Sequence, residues 1–93
     1  MSPVQEAYEE LILREDHVIL QIKTSEWAVS ILMDELLYRH RESACAETVK
    51  DLCERMREKE ESLRSELFEV RWQKTMLTCQ VPSAKKQAEV SEK

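Results

Sequence analysis

The 93-residue sequence contains no glycine and no asparagine, and its only prolines are Pro3 and Pro82. Tight turns between strands draw their positive-φ residues mainly from Gly, Asn and Asp. A sheet protein is therefore poorly provided for, and the Gly-rich loops that cradle phosphates are excluded outright. No apolar run approaches the ~20 residues that cross a bilayer as a helix. The N-terminus carries Glu6, Glu9 and Glu10, unlike a signal or transit peptide. Arg and Lys alternate with Glu within a net charge of −5, so no basic footprint for nucleic acid exists. The same mixed, acidic polar faces do not suit a membrane-surface helix.

What remains is rich in Glu, Leu, Arg, Lys, Ala and Met, all good helix formers. The length allows one domain, with a core small enough that oligomerisation, a metal or disulfides would help to stabilise it. Ser2 reads as an N-cap, Pro3 as the first helical residue and Gln5 as the capping-box partner. Glu6, Glu9 and Glu10 then face the positive end of the helix dipole.

An apolar stripe follows at alternating steps of four and three: Val4, Tyr8, Leu11, Glu15, Val18, Ile22, Ser25, Val29, Leu32, Leu36. Ile12, Ile19 and Met33 broaden it on one side, which makes it wide enough for a bundle helix. Val18–Ile22 has strand-favouring residues but no partner strand, and Thr24-Ser25 marks a weak point where the helix could kink or restart. After the apolar-poor stretch Arg39-His40-Arg41-Glu42-Ser43, a second stripe reads Val49, Cys53, Met56, Glu60, Leu63, Leu67, Val70, Lys74, Leu77, Val81. Pro82 ends it, and residues 83–93 have the composition of a disordered tail.

The fold class predicted is all-α: a helical domain over 1–82, with helix 1 at about 3–40, a turn at about 40–44 and helix 2 at about 44–81. These would pack as an antiparallel coiled-coil hairpin that oligomerises into a bundle. The alternative is one continuous helix of roughly 120 Å. The stripes slip out of phase between Leu36 and Val49, thirteen residues where two heptads need fourteen, and Ser43 is a candidate cap for helix 2. Folding there sets residue i beside 85 − i, so that Ile22 meets Leu63, Val18 meets Leu67, Val29 meets Met56 and Leu32 meets Cys53. The polar interruptions Ser25 and Glu60 then coincide. Against the hairpin stands the lack of Gly or Asn for a left-handed C-cap.

The predicted seam comprises Tyr8, Leu11, Val18, Ile22, Val29, Leu32, Leu36, Val49, Cys53, Met56, Leu63, Leu67, Val70 and Leu77. A second line, Leu13, Leu20, Trp27, Ile31 and Tyr38, lies on the opposite side of helix 1. Helix 2 has a shorter counterpart in Phe68, Trp72 and Met76, with Cys79 beside them. A helix apolar on two sides is normally buried on two sides, and Trp and Tyr are frequent interface anchors. These eight residues are the candidate partner-binding positions.

No catalytic, cofactor or metal site is expected. Cys45 and Cys53 are about 12 Å apart along one helix and cannot share a zinc without other ligands. No Cys-x-x-Cys or His-x-x-x-His spacing occurs, and His17 reads as an interface residue. Cys53 reads as a small seam residue. The carboxylates belong to charged helix faces and i, i+4 pairs, without a pocket to perturb them.

The function expected is that of a non-enzymatic coiled-coil interaction protein, a small subunit or adaptor of a larger assembly. Its partners would be other helical proteins or further copies of itself, without nucleic acid, membrane insertion or a small-molecule substrate. A homo-oligomeric structural or cytoskeletal scaffold component is the first alternative. A thiol- or metal-dependent regulator using Cys45, Cys53 or Cys79 is the second. Unpaired cysteines suit a reducing compartment, the cytoplasm or nucleus, with cytoskeletal association a further option.

Overall fold

The computed structural model describes residues 2–80; Val81, Pro82 and the predicted tail lie outside them. Helix α1 spans Pro3–Ile31, continues as a π-helical segment over Leu32–Arg39, and is followed after a short turn by helix α2, Ala46–Gln80. The helices pack antiparallel as an extended hairpin. Its extents are 61 × 24 × 19 Å and its radius of gyration is 19.4 Å, against about 12 Å for a compact domain of this size. The single continuous helix is therefore not the fold.

Helix α1 starts where its local chemistry dictates. The Ser2 hydroxyl accepts from the Gln5 backbone N–H at 3.2 Å, and Pro3 fills the first helical turn, where its missing donor costs nothing. The weak Thr24-Ser25 site does not interrupt the helix. Thr24 Oγ1 donates to the Leu20 carbonyl at 2.8 Å, the back-bonding that lets threonine sit inside a helix.

The turn forms without any left-handed residue: among the described residues none has a positive φ. Instead the π segment ends at His40, with φ −118° and ψ 30°. The His40 carbonyl accepts from the backbone N–H groups of Ser43 at 3.0 Å and Ala44 at 2.7 Å. That arrangement supplies the reversal that Gly or Asn usually provides. Ser43 does not cap α2. Its hydroxyl donates back to His40, while the Cys45 carbonyl accepts the first α2 bond, from Val49 N–H.

Five apolar residues are buried, Val18, Ile22, Val49, Leu63 and Val70, of which Val18 and Val70 are fully so. Val18, Ile22 and Leu63 form the central cluster, with Leu67 packed against it, so the pairs Ile22–Leu63 and Val18–Leu67 of the 85 − i rule share one core. All fourteen predicted seam residues are buried or half-buried.

Charged side chains bind the two helices along both flanks of the seam. Arg14 pairs with Glu66 at 3.0 Å and Arg64 with Glu26 at 2.8 Å. Glu15 accepts from Arg71 Nε and Lys74 Nζ, each at 2.7 Å. The residue-number sums of these pairs run from 80 to 90, within about one and a half helical turns of 85. Glu15 and Lys74 were polar members of the two apolar stripes, and the fold brings them together.

The π segment changes which residues of helix 1 face inward near the turn. Its i→i+5 bonds put neighbours on one face four or five residues apart. Leu37 thereby joins Val29 and Met33 along the hairpin's inner groove, while Leu36 is also half-buried. The same unwinding carries Tyr38 out of line with Leu13, Leu20 and Trp27 and sets it among the turn residues Arg39–Ser43.

Candidate docking surface

The seam uses one side of each helix, and the rest of the apolar sequence is left outside. On α1, Leu13 is 68%, Leu20 60% and Trp27 67% exposed, with Ile31 also exposed. At 3.6 residues per turn these four lie about 200° around the helix from Val18, on the side turned mainly away from α2, although Leu20 also borders a shallow groove with Met56, Lys59 and Leu63 of α2. Residues 13, 20 and 27 repeat by seven, which drifts by only ~20° per step, and they form a nearly straight apolar line.

On α2, Phe68, Trp72 and Met76 are exposed on the side opposite Leu63 and Val70. The Phe68 and Trp72 rings stack with centroids 6.3 Å apart and planes 19° from parallel. This self-contact leaves both rings largely in water. Tyr38 is exposed at the turn. All eight candidate residues therefore lie at the surface, but in three places. The α1 line and the α2 cluster face opposite ways, and Tyr38 stands apart from both.

A further apolar surface was not legible as a stripe. Near the turn the helices enclose an open groove of about 720 Å³ lined by Val29, Met33 and Leu37 on one side and Ala46, Cys53 and Met56 on the other. Ser25 and Glu60 close its inner end. The signal for it was Met33 beside the phase slip; the groove arises because the π segment holds its apolar residues in a register that α2 only partly covers.

Among the described residues two titratable groups are perturbed. Lys74 first, and then Arg71, donate to the Glu15 carboxylate and hold its pKa below the usual value, against a smaller opposing effect of burial. The Cys45 thiol is also lowered. The Thr48 side chain contributes most, followed by the backbone N–H groups of Thr48 and Glu47 at the start of α2. Cys45 and Cys79 are exposed and Cys53 half-buried, all free. Along α2, Cys45 and Cys79 are roughly 50 Å apart, far beyond disulfide reach.

Among the described residues no group of three His, Cys, Asp or Glu side chains is placed to hold a metal. Among them also, no helix is long and apolar enough to cross a membrane. No buried side-chain nitrogen or oxygen among them lacks a hydrogen-bond partner. No family model, curated protein or solved structure matches the chain.

Proposed function

We propose that this hairpin is a non-catalytic interaction protein, a small helical subunit or adaptor that docks a partner through the outer face of α1. The observation that carries the reading is the exposed line Leu13, Leu20, Trp27 and Ile31 on a helix whose other side is already committed to α2. Fully burying a Leu, Ile or larger apolar side chain is worth about 1.5–3 kcal/mol. Three such residues mostly in water, with Ile31 partly so, are a substantial reserve of binding free energy. Contiguous exposed apolar surface beyond a few hundred Å² marks interaction sites in soluble proteins.

The test is to isolate complexes formed by the wild-type chain and by Leu20→Asp/Trp27→Asp, then to reconstitute the complex from purified chains. The reading expects a defined partner at fixed stoichiometry, lost in the double variant while its helical circular dichroism is unchanged. A partner retained by the double variant would refute it.

The stacked Phe68–Trp72 pair supports a second reading. Apolar lines on opposite outer sides of one hairpin suit lateral stacking of copies into a scaffold. Sedimentation of the pure chain decides between the two, since only the scaffold assembles without another protein. Under either reading the free cysteines suit a reducing compartment, cytoplasm or nucleus, and no catalytic step is assigned to any residue.

A further inference from the structure

The charges around the α1 line are one-sided. Glu9 and Asp16 each precede a residue of the line by four and so lie about 40° from it. Glu6 and Glu10 fall within about 60° of Leu13 by the same count. All four are exposed, and among the described residues none enters an ion pair, whereas Arg14, Glu15 and Glu26 are all used across the seam. Lys23 is the only Lys or Arg beside the line in α1 that makes no such pair, and His17 is the one other basic side chain there. Helix capping does not account for this distribution: the dipole acts within the first turn, which holds Glu6 alone, and Asp16 lies three turns further on.

We infer that the outer face of α1 receives a cationic amphipathic helix of another protein. Its apolar stripe covers Leu13, Leu20, Trp27 and Ile31, and its Lys or Arg residues lie against Glu6, Glu9, Glu10 and Asp16. The inference rests on the docking role proposed above and adds the partner's chemistry. A second copy of this chain fits less well. In parallel each carboxylate meets its own counterpart. Antiparallel pairing of Leu20 on Leu20 sets Leu13 opposite Trp27 but Glu6 opposite Asp34. It leaves Glu9 and Glu10 facing Ile31 and Ser30, with Lys23 near Asp16 the one complementary charge. Like charges brought together across a helix interface are unfavourable. A cationic helix meets complementary charge along the whole acidic end.

The test uses the full chain carrying Trp72→Phe, so that Trp27 is the sole tryptophan, and two synthetic 21-residue, tryptophan-free helical peptides. Both have leucines at alternating steps of three and four; one has lysine on the flanks and the other glutamate. The lysine peptide is expected to blue-shift Trp27 emission and bind at least about tenfold more tightly at low salt, the preference shrinking as salt screens exposed charges. Glu9→Lys/Asp16→Lys should reverse the preference, and the milder Glu9→Gln/Asp16→Asn should weaken it. Glu58→Lys/Glu69→Lys on α2 makes the same change in net charge and should leave it intact.

Equal binding of the two peptides, or equal sensitivity to the α2 charges, overturns the inference while leaving the docking role standing. Reversible dimerisation that shields Trp27 overturns it in favour of a second copy. Shielding of Trp27 in the monomer that is relieved by Lys85→Glu/Lys86→Glu overturns it in favour of the chain's own C-terminal segment. Failure of both peptides while a natural partner still protects Trp27 overturns the partner chemistry alone. Failure to find any partner at that face overturns the docking role itself.

Discussion

Leucine appears on both sides of this hairpin, so one substitution reports on two environments. Leu63 is 3% exposed and packs in the central cluster with Val18 and Ile22; Leu20, on the outer line, is 60% exposed. Leu63→Ala removes the same atoms as Leu20→Ala but takes them from a site enclosed by both helices. Burial loss plus the residual cavity should cost about 2–5 kcal/mol. A hairpin of this length has only about 4–12 kcal/mol of stability to lose. With so few fully buried side chains, its margin belongs at the lower end, and Leu63→Ala should leave the chain largely unfolded at 37 °C. Leu20→Ala should change stability by no more than about 0.5 kcal/mol, as surface substitutions do. Urea titration of both variants followed by circular dichroism, at micromolar concentration and checked by sedimentation, measures the difference directly. Comparable destabilisation by the two would refute the division into inner seam and outer face, because it would mean that Leu20 is core.

Other consequences follow from the polar contacts. Glu15 is 14% exposed and bonded to both Arg71 and Lys74, so Glu15→Gln should cost about 1–2 kcal/mol, between the values for surface and buried pairs. Its pKa is lowered on folding. Its contribution is therefore present above the unfolded carboxylate value and is lost as pH falls through the folded one; wild type and Glu15→Gln should converge in stability at acid pH, as thermal melts across pH would show. The lowered Cys45 thiol should alkylate with iodoacetamide faster than exposed Cys79 near neutral pH, since the thiolate is the nucleophile. Thr48→Val should slow it, and mass spectrometry of timed digests reads both rates.

Much of the fold was legible because an elongated hairpin is nearly one-dimensional. Steps of three and four identify which side of each helix is inward, and Val18, Ile22, Leu63 and Val70 are buried where the stripes put them. The folding point followed from a phase slip in the same pattern. Ser43 is not the cap of α2 because its hydroxyl donates to the His40 carbonyl within the turn and the helix begins only at Ala46, with Cys45 in the capping position. Counting at 3.6 residues per turn also fails once the helix widens, so Tyr38 leaves the outer line and Leu37 enters the groove. Local sequence shows no signal for π bonding, which depends on how helix 1 must rotate to meet the incoming α2. The mutual pairing of Glu15, Arg71 and Lys74 was equally hidden, since heptad positions rank residues by side and not by partner.

The outer α1 face can be tested most directly by hydroxyl-radical footprinting of the free chain and of the purified complex. Leu13, Leu20, Trp27 and Ile31 should be labelled when free and protected together on complex formation, while Phe68, Trp72 and the groove residues Met33 and Met56 keep their free labelling. Protection confined to the α2 cluster or the groove, with the α1 line still labelled, would contradict the account.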